Sequence, residues 1–264
     1  MLISFIRTFK RRRILQAISP DHQRWSEMLA QNALFTGLSP SEQWRLRQLA
    51  EIFLYEKNID LVGGLDLKHH QRLLLAAVAC LPILELGPDA YDNWQTLIVY
   101  PRKFIPGQSE VDAMGVVHPP TPRIGEAWPD GPVILSWKDV ERDLLGDWDY
   151  PMNVVIHEMC HQLDVRNGGF DGMPSLPHDL DPRVWVRQFT TTFKALRQSV
   201  ARGQPLPLDP YALESPAEFF AVVGETFFVA PDLLIQLCPE IYPLLQTYFR
   251  QDPYQRIKQG SGYQ

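Results

Sequence analysis

Two histidines and a glutamate near the middle of the chain have the types and spacing of a metal site. His157, Glu158 and His161 form an H-E-x-x-H sequence inside an apolar run. Residues four apart lie on the same face of a helix, about one turn from each other, so both imidazoles can reach one metal ion. Glu158 can accept a proton from a water molecule that the metal activates. The motif therefore predicts two metal ligands and a general base.

The residues on either side predict the helix that this motif needs. Asp149 and Pro151 are favourable at a helix start, and the run 167–169 is favourable at a helix end. Two ordinary polar histidines on a helix would be the alternative interpretation. An H-E-x-x-H sequence arises by chance in a chain of this composition with a probability on the order of one per cent, which favours the metal site.

A catalytic zinc needs a third protein ligand, and the segment after residue 210 offers two carboxylates. Ser215 and Pro216 mark a helix start, which places Glu218 in the first turn and Glu225 two turns later on nearly the same face. Ser215 and Glu218 also fit a capping box, in which the carboxylate binds only backbone. Periodicity alone does not choose between Glu218 and Glu225 as the third ligand.

The elements that must hold these residues fall into two parts. The part at 1–93 is predicted to be mostly helical, with helices near 22–32, after the capping box at Ser39, and at 67–81. The part at 94–264 combines a small mixed sheet with the metal-binding core and helical C-terminal segments. No repeat or linker separates the parts, so residues 1–264 are expected to form a single α+β unit.

Short β-rich runs separated by prolines precede the H-E-x-x-H segment, at 96–100, 115–118 and 132–137. The last of these runs, Val133–Trp137, comes just before the predicted metal helix. In zinc peptidases a strand at the sheet edge in this place commonly accepts the substrate backbone. An ordinary internal strand is the alternative, and the sequence favours neither.

Composition is that of an ordinary soluble globular chain. The 264 residues are 45% hydrophobic and 21% charged, with a formal net charge of −6 and a pI of about 5.6. A broad contact with nucleic acid is therefore not expected. The run Lys10–Arg13 is the exception, and it is interpreted as a solvated segment, with an acidic partner or a lipid surface as the less favoured alternative.

The cysteines and apolar runs bear on the compartment. Cys80, Cys160 and Cys238 are odd in number and far apart, which is typical of reduced thiols in a cytoplasm. Cys160 is offset from the histidine face and is interpreted as a packing residue. The longest apolar tract, 73–86, is too short to span a bilayer and contains a proline. A cytoplasmic protein without a membrane span is expected.

The sequence resembles the Mlc titration factor A family, a group of bacterial zinc peptidases, and more distantly the catalytic domain of anthrax lethal factor. Two signatures carry the likeness. One is 157–164 with the turn at 166–168 and residues 171–172, and the other is the segment 211–228. Similar stretches at 32–35, 38–39 and 63–64 extend it over nearly the whole chain. The resemblance implies a zincin-like metallopeptidase fold of the α+β class.

The resemblance also implies roles for particular residues. It implies that His157, His161 and Glu218 bind one zinc ion per chain, that Glu158 is the general base, and that Tyr211 helps to stabilise the transition state. For Tyr211, the alternative from the residues alone is a loop aromatic that packs beside its neighbours.

Two more carboxylates would then support the metal ligands. If Glu218 binds the metal, Glu225 becomes a group that orients a ligand histidine, and Asp164 is expected to do likewise.

The family implies an aminopeptidase-like zinc peptidase that acts on short peptides. It also implies a possible protein partner, the transcriptional repressor Mlc. The main rival is a protein that sequesters such a regulator, with weak or incidental hydrolysis, and a purely structural zinc site is a third interpretation. The C-terminal segment 239–264 either covers the cleft or completes the core.

Overall fold

The computed structural model describes residues 2–18, 22–102, 110–111, 117–118, 125–127, 131–145 and 151–260. Side chains are described in 7–18, 22–102, 131–145 and 151–260.

Helices dominate the described residues. The α-helices are α1 (Leu2–Ala17), α2 (His22–Ala30), α3 (Pro40–Glu56), α4 (His69–Cys80), α5 (Trp137–Leu145), α6 (Val154–Asp164), α7 (Pro182–Ala201), α8 (Pro216–Val229), α9 (Pro231–Leu237), α10 (Tyr242–Phe249) and α11 (Pro253–Gly260). Short 3-10 helices occur at Ala33–Phe35, Pro88–Tyr91, Val165–Asn167 and Pro210–Leu213. Within the described part of the chain, none of the helices has the length and apolar character needed to cross a bilayer.

Six short strands complete the architecture of the described chain. They are β1 (Asn58–Leu61), β2 (Thr96–Tyr100), β3 (Glu110–Val111), β4 (Val117–His118), β5 (Gly125–Ala127) and β6 (Val133–Ser136). The main sheet has the order β1-β2-β6-β5; its first three strands are parallel, and β5 is antiparallel to β6. Strands β3 and β4 form a separate antiparallel pair. A mostly helical chain with a small mixed sheet agrees with the predicted α+β class.

Strand β6 is an internal strand, because β2 and β5 pair with its two sides. The interpretation of Val133–Trp137 as the sheet-edge strand is therefore wrong. Val133 and Leu135 are completely buried, as expected for a strand with neighbours on both sides. The outermost described strand on this side of the sheet is β5, and it contacts α6.

Local signals in the sequence predict α2, α3 and α4, whereas α1 is not predicted. Ser39 accepts a hydrogen bond from the Glu42 backbone N–H, and the Glu42 carboxylate accepts one from the Ser39 N–H. This reciprocal capping box starts α3 where the sequence predicts it. Helix α5, in contrast, follows β6 without a loop and is not predicted, because its first residue, Trp137, reads as the end of a strand.

The core forms where the apolar helix α8 is enclosed by its neighbours. Almost every residue of α8 is buried, and the helix packs against α6, α7, α9 and α10. Tyr242, Tyr248 and Phe249 of the C-terminal segment are buried in the same cluster. Their side chains therefore complete the core.

Helices α6 and α8 approach each other closely at Gly224. A β-carbon added there would lie 2.6 Å from the Sγ atom of Cys160, which is completely buried. We expect Gly224→Ala to lower the free energy of unfolding by about 1–3 kcal/mol because of this overlap. A Cys160→Ala background removes the overlapping sulfur atom, and alanine is a better helix former than glycine. Denaturant titration should therefore show no loss of unfolding free energy for Gly224→Ala in that background. An equal loss in both backgrounds would contradict this packing argument.

A buried lysine between α3 and the Pro88–Tyr91 turn gives stability a predictable pH dependence. The Lys57 ammonium donates hydrogen bonds to the carbonyls of Tyr91 and Trp94 and lies 4.1 Å from the centre of the Trp94 ring. Burial lowers the pKa of Lys57 to about 8, although the charge of Glu56 partly opposes it. The unfolded chain therefore binds more protons than the folded protein between pH 8 and about 10.4, and stability rises with pH there.

As the pH rises over this range, we expect the free energy of unfolding of wild type to increase by about 2–3 kcal/mol relative to that of Lys57→Met. Denaturant unfolding at several pH values gives a curve of unfolding free energy against pH for each protein, and the slopes of the two curves are compared. Parallel curves would show that Lys57 keeps an ordinary pKa in the folded protein.

Candidate metal centre

Helix α6 begins at Val154, and Asn153 is its N-cap. The Asn153 side chain accepts a hydrogen bond of 3.1 Å from the backbone N–H of Ile156. Of the two predicted start residues, Pro151 precedes this cap, and Asp149 lies outside the described residues. Asparagine is among the best N-cap residues, so this signal was present in the sequence. The helix ends as predicted, through a 3-10 turn at Val165–Asn167.

Three side chains converge at one face of α6. The Nε2 atoms of His157 and His161 lie 3.1 Å apart, and the Glu218 Oε2 atom lies 3.2 Å from the first and 3.3 Å from the second. His161 is buried, while His157 and Glu218 are partly accessible. Among the described residues, this is the group of histidine and acidic side chains placed to hold a metal ion.

The spacing of these three atoms fits one ion. Nitrogen and oxygen ligands about 2.0–2.2 Å from a tetrahedral zinc lie roughly 3.3 Å from one another. The three observed distances are 3.1, 3.2 and 3.3 Å. Each side chain also presents a donor that metals of this class prefer, an imidazole nitrogen or a carboxylate oxygen.

The charges of these groups are coupled. Burial would raise the pKa of Glu218, but hydrogen bonds with His157 and His161 outweigh it and lower that pKa to about 2. Burial opposes protonation of His157, yet the charge of Glu225 and hydrogen bonds with both glutamates raise its pKa well above the usual value. Burial lowers the pKa of His161. The raised pKa of His157 and the lowered pKa of Glu218 together favour a proton on His157, which a bound metal ion would displace.

The two candidate carboxylates contact opposite sides of one imidazole. Glu218 faces Nε2 of His157, whereas Glu225 Oε2 lies 3.6 Å from Nδ1 of the same ring. Ser215 caps α8 through the Glu218 backbone N–H at 3.1 Å, while the Glu218 carboxylate points to the histidines. Helix α8 therefore brings both glutamates to His157, in different positions.

Two buried carboxylates fix the start of α6, and one of them, Asp143, is not among the residues that the sequence singles out. The Asn153 backbone N–H donates to Glu225 at 3.3 Å, and the Val154 N–H donates to the Asp143 carboxylate at 2.8 Å. Both carboxylates are buried at the positive end of the helix, where negative charge is favoured. Asp143 belongs to α5, and nothing in the sequence linked that helix to the metal motif.

The predicted catalytic residues lie at the same place. Glu158 is 4% exposed, and its charge is among those that raise the pKa of His157. Tyr211 is 42% exposed, and its ring centre lies 6.4 Å from that of His157. The Asp209 carboxylate accepts from the Tyr211 backbone N–H at 2.9 Å and so fixes the turn that carries this side chain.

Asp164 contacts a loop backbone. Its carboxylate accepts a hydrogen bond of 2.9 Å from the N–H of Gly172, and burial raises its pKa to about 6. Gly172 has a φ of +79°, and an added β-carbon would lie 2.4 Å from the Pro216 carbonyl oxygen, so this loop packs directly on the start of α8. The described contacts place Asp164 as an anchor of the loop between α6 and α7.

That loop carries an aromatic residue to the face of α6 at which the histidines and Glu218 converge. Phe170 is 42% exposed, and its ring centre lies 4.9 Å from that of His161. Two exposed aromatic rings thus flank the histidine pair, Phe170 beside His161 and Tyr211 beside His157. Phe170 gave no signal in the sequence, because an isolated aromatic in a glycine-rich turn has no characteristic spacing.

Comparison with known proteins gives a consistent assignment. Residues 6–250 match the family described as glucose-regulated metallo-peptidase M90. The chain is 36% identical over 231 residues to Mlc titration factor A of Pectobacterium atrosepticum, covering 85% of each chain. It is 34% identical over 251 residues to that of an Enterobacter species, covering 90% of each, and 34% identical over 241 residues to that of Serratia proteamaculans, covering 89% of each. The chain therefore belongs to the glucose-regulated metallo-peptidase M90 family.

Proposed function

We propose that this protein is a zinc-dependent peptidase whose metal is held by His157, His161 and Glu218. The observation that carries the proposal is the convergence of the three donor atoms within 3.3 Å of one another, at a face that two exposed aromatics border. Two histidines and one glutamate are the ligand set of a large class of catalytic zinc sites, which leave a fourth position open. A zincin-like fold is part of this proposal.

The side chains divide the proposed reaction between them. A zinc ion bound at the cluster would polarise the scissile carbonyl and acidify a water molecule. Glu158 accepts the proton of the attacking water and delivers it to the leaving amine. The Tyr211 hydroxyl donates a hydrogen bond to the developing oxyanion. Glu225 holds His157 from its Nδ1 side, so that Nε2 points to the metal position.

The sheet offers a place for the substrate backbone. Strand β5 is the outermost described strand beside β6, and it contacts α6. We propose that an extended peptide pairs along β5, because strand addition would carry its backbone past the H-E-x-x-H helix. Short peptides with a free amino terminus are the proposed substrate class.

The test is hydrolysis of aminoacyl chromogenic anilides and short peptides by zinc-loaded protein, together with a metal analysis of the same sample. We expect one zinc per chain, activity that a chelator removes, and recovery when zinc is restored. Cleavage within longer peptides only would replace the aminopeptidase-like assignment with an endopeptidase one. One tightly bound zinc without hydrolysis of any substrate would contradict the proposal.

A second role is proposed from the relatives. Their name, Mlc titration factor A, indicates titration of a factor called Mlc, which the family resemblance identifies as a transcriptional repressor. We propose that this chain binds a repressor of that type in the cytoplasm, where its three buried free cysteines would stay reduced. Capture of a purified Mlc-type repressor by wild type and by Glu158→Gln tests this role, because binding needs no general base. Failure of both proteins to bind it would exclude the partner.

The aromatic borders predict a preference among substrates. Because Phe170 is exposed beside His161, it offers an apolar wall to a substrate side chain. We expect Phe170→Ala to lower kcat/KM for leucine-type substrates about tenfold and to change that for alanine-type substrates much less. Parallel assays with both substrates, and a metal analysis, separate this effect from loss of zinc. An equal fall for both substrates would show that Phe170 does not select side chains.

A further inference from the structure

Helix α1 is held against the rest of the protein by part of its basic run. Arg11 makes a two-point contact with the Glu56 carboxylate, at 2.8 and 2.9 Å, and also contacts Asp89 at 2.6 Å. Arg7, one turn earlier, lies 3.4 Å from Asp92. Residues four apart share a helix face, so Arg7 and Arg11 define the face of α1 that docks on α3 and the Pro88–Tyr91 turn.

The other cations of the run are exposed beside this contact. Lys10, Arg12 and Arg13 are exposed, and none of them forms an ion pair with another described residue. They lie on a chain whose formal net charge is −6. Within the basic run, Arg11 therefore fastens the helix together with Arg7, whereas Lys10, Arg12 and Arg13 stay exposed.

Two exposed aromatic residues lie beside these cations. Phe9 is 57% exposed and precedes Lys10 directly in the helix. Tyr55 of α3, 59% exposed, lines the same groove as Lys10. Aromatic and basic residues are therefore adjacent on one surface.

We propose that this surface, formed by Phe9, Lys10, Arg12, Arg13 and Tyr55, binds an anionic lipid bilayer. A helix that lies in the membrane interface has apolar residues on one face and cations at its flanks, and it does not span the bilayer. The cations contact lipid phosphates, Phe9 enters the boundary with the acyl chains, and the Tyr55 ring lies at the headgroup level. This proposal is independent of hydrolysis.

The exposed aromatics favour lipid over other polyanions. An acidic peptide or a nucleic acid would neutralise the three cations but has no apolar layer into which a helix face can insert. Charge complementarity also orients the protein, because the outward cations contrast with the negative balance of the whole chain.

The test is co-sedimentation of the full-length protein with phosphatidylcholine vesicles, with and without phosphatidylglycerol. We expect binding to the anionic vesicles alone, and less of it when salt is added. Arg12→Gln/Arg13→Gln should bind about tenfold more weakly or worse, and Phe9→Ser several-fold more weakly. The matched control is Arg183→Gln/Arg187→Gln, which removes two exposed charges from α7 and should bind like wild type. Arg7 and Arg11 stay intact in all variants, so α1 remains docked.

Three results would overturn the proposal. One is absence of wild-type binding to anionic vesicles. The second is equal binding by Arg12→Gln/Arg13→Gln and wild type. The third is binding of polyuridylate through these cations without any binding to vesicles, which would assign the surface to a nucleic acid instead.

Discussion

Replacing Glu158 with glutamine is expected to lower kcat for peptide hydrolysis by a factor on the order of a thousand while the metal content stays at the wild-type level. Glutamine has nearly the same shape as glutamate but cannot accept and return a proton. Glu158 is not among the three side chains that converge on one point, so its replacement leaves the donor set intact. Steady-state kinetics and metal analysis of the same preparation measure both quantities.

The control is Glu141→Gln, which makes the same chemical change at an exposed position of α5. It should match wild type in activity and metal content. If Glu158→Gln lost its zinc, Glu158 would be a ligand and the assignment of the base would fail. Retained hydrolysis would show that proton transfer uses another group.

The same variant separates the two proposed roles. A peptidase needs Glu158, whereas a protein that only sequesters a repressor has no use for a general base in a buried position. Glu158 is 4% exposed, so a partner on the surface would not reach it. Loss of hydrolysis together with unchanged repressor binding would show that one chain performs both functions.

The local parts of this structure could be predicted because they depend on near neighbours in the sequence. The capping box at Ser39 needs only the residue three positions later, and it starts α3 as expected. The spacing of His157 and His161 likewise fixes a shared helix face before any tertiary contact forms. The role of the C-terminal aromatics could not be predicted in this way, since their burial depends on which distant residues pack against them.

The features that could not be predicted depend on contacts between distant segments. Strand β6 is internal because β5 pairs with it, and three residues of antiparallel strand leave little sequence signal. Asp143 contacts the start of α6 only because α5 folds back on that helix. The different positions of Glu218 and Glu225 around His157 likewise follow from how α8 crosses α6, which periodicity does not give.

The largest expected effect on metal binding follows from the position that the crossing of α8 over α6 gives to Glu218. Glu218→Gln should weaken zinc affinity by more than about a hundredfold, because it removes a charged donor 3.2–3.3 Å from both imidazole nitrogens. Glu225→Gln should weaken it only about 10–100-fold, the usual effect of losing a group that supports a ligand histidine. Glutamine at 225 also keeps an oxygen that can accept from the Asn153 N–H.

Competition with a chromogenic zinc chelator measures the zinc affinity of wild type and of both variants. The control is Glu240→Gln, which changes an exposed residue outside the site. The test is which variant loses more zinc affinity, because both variants remove one negative charge near His157. A larger loss in Glu225→Gln would exchange the roles of the two glutamates. Equal losses would mean that the site responds only to net charge, which the opposite placement of the two carboxylates around one imidazole argues against.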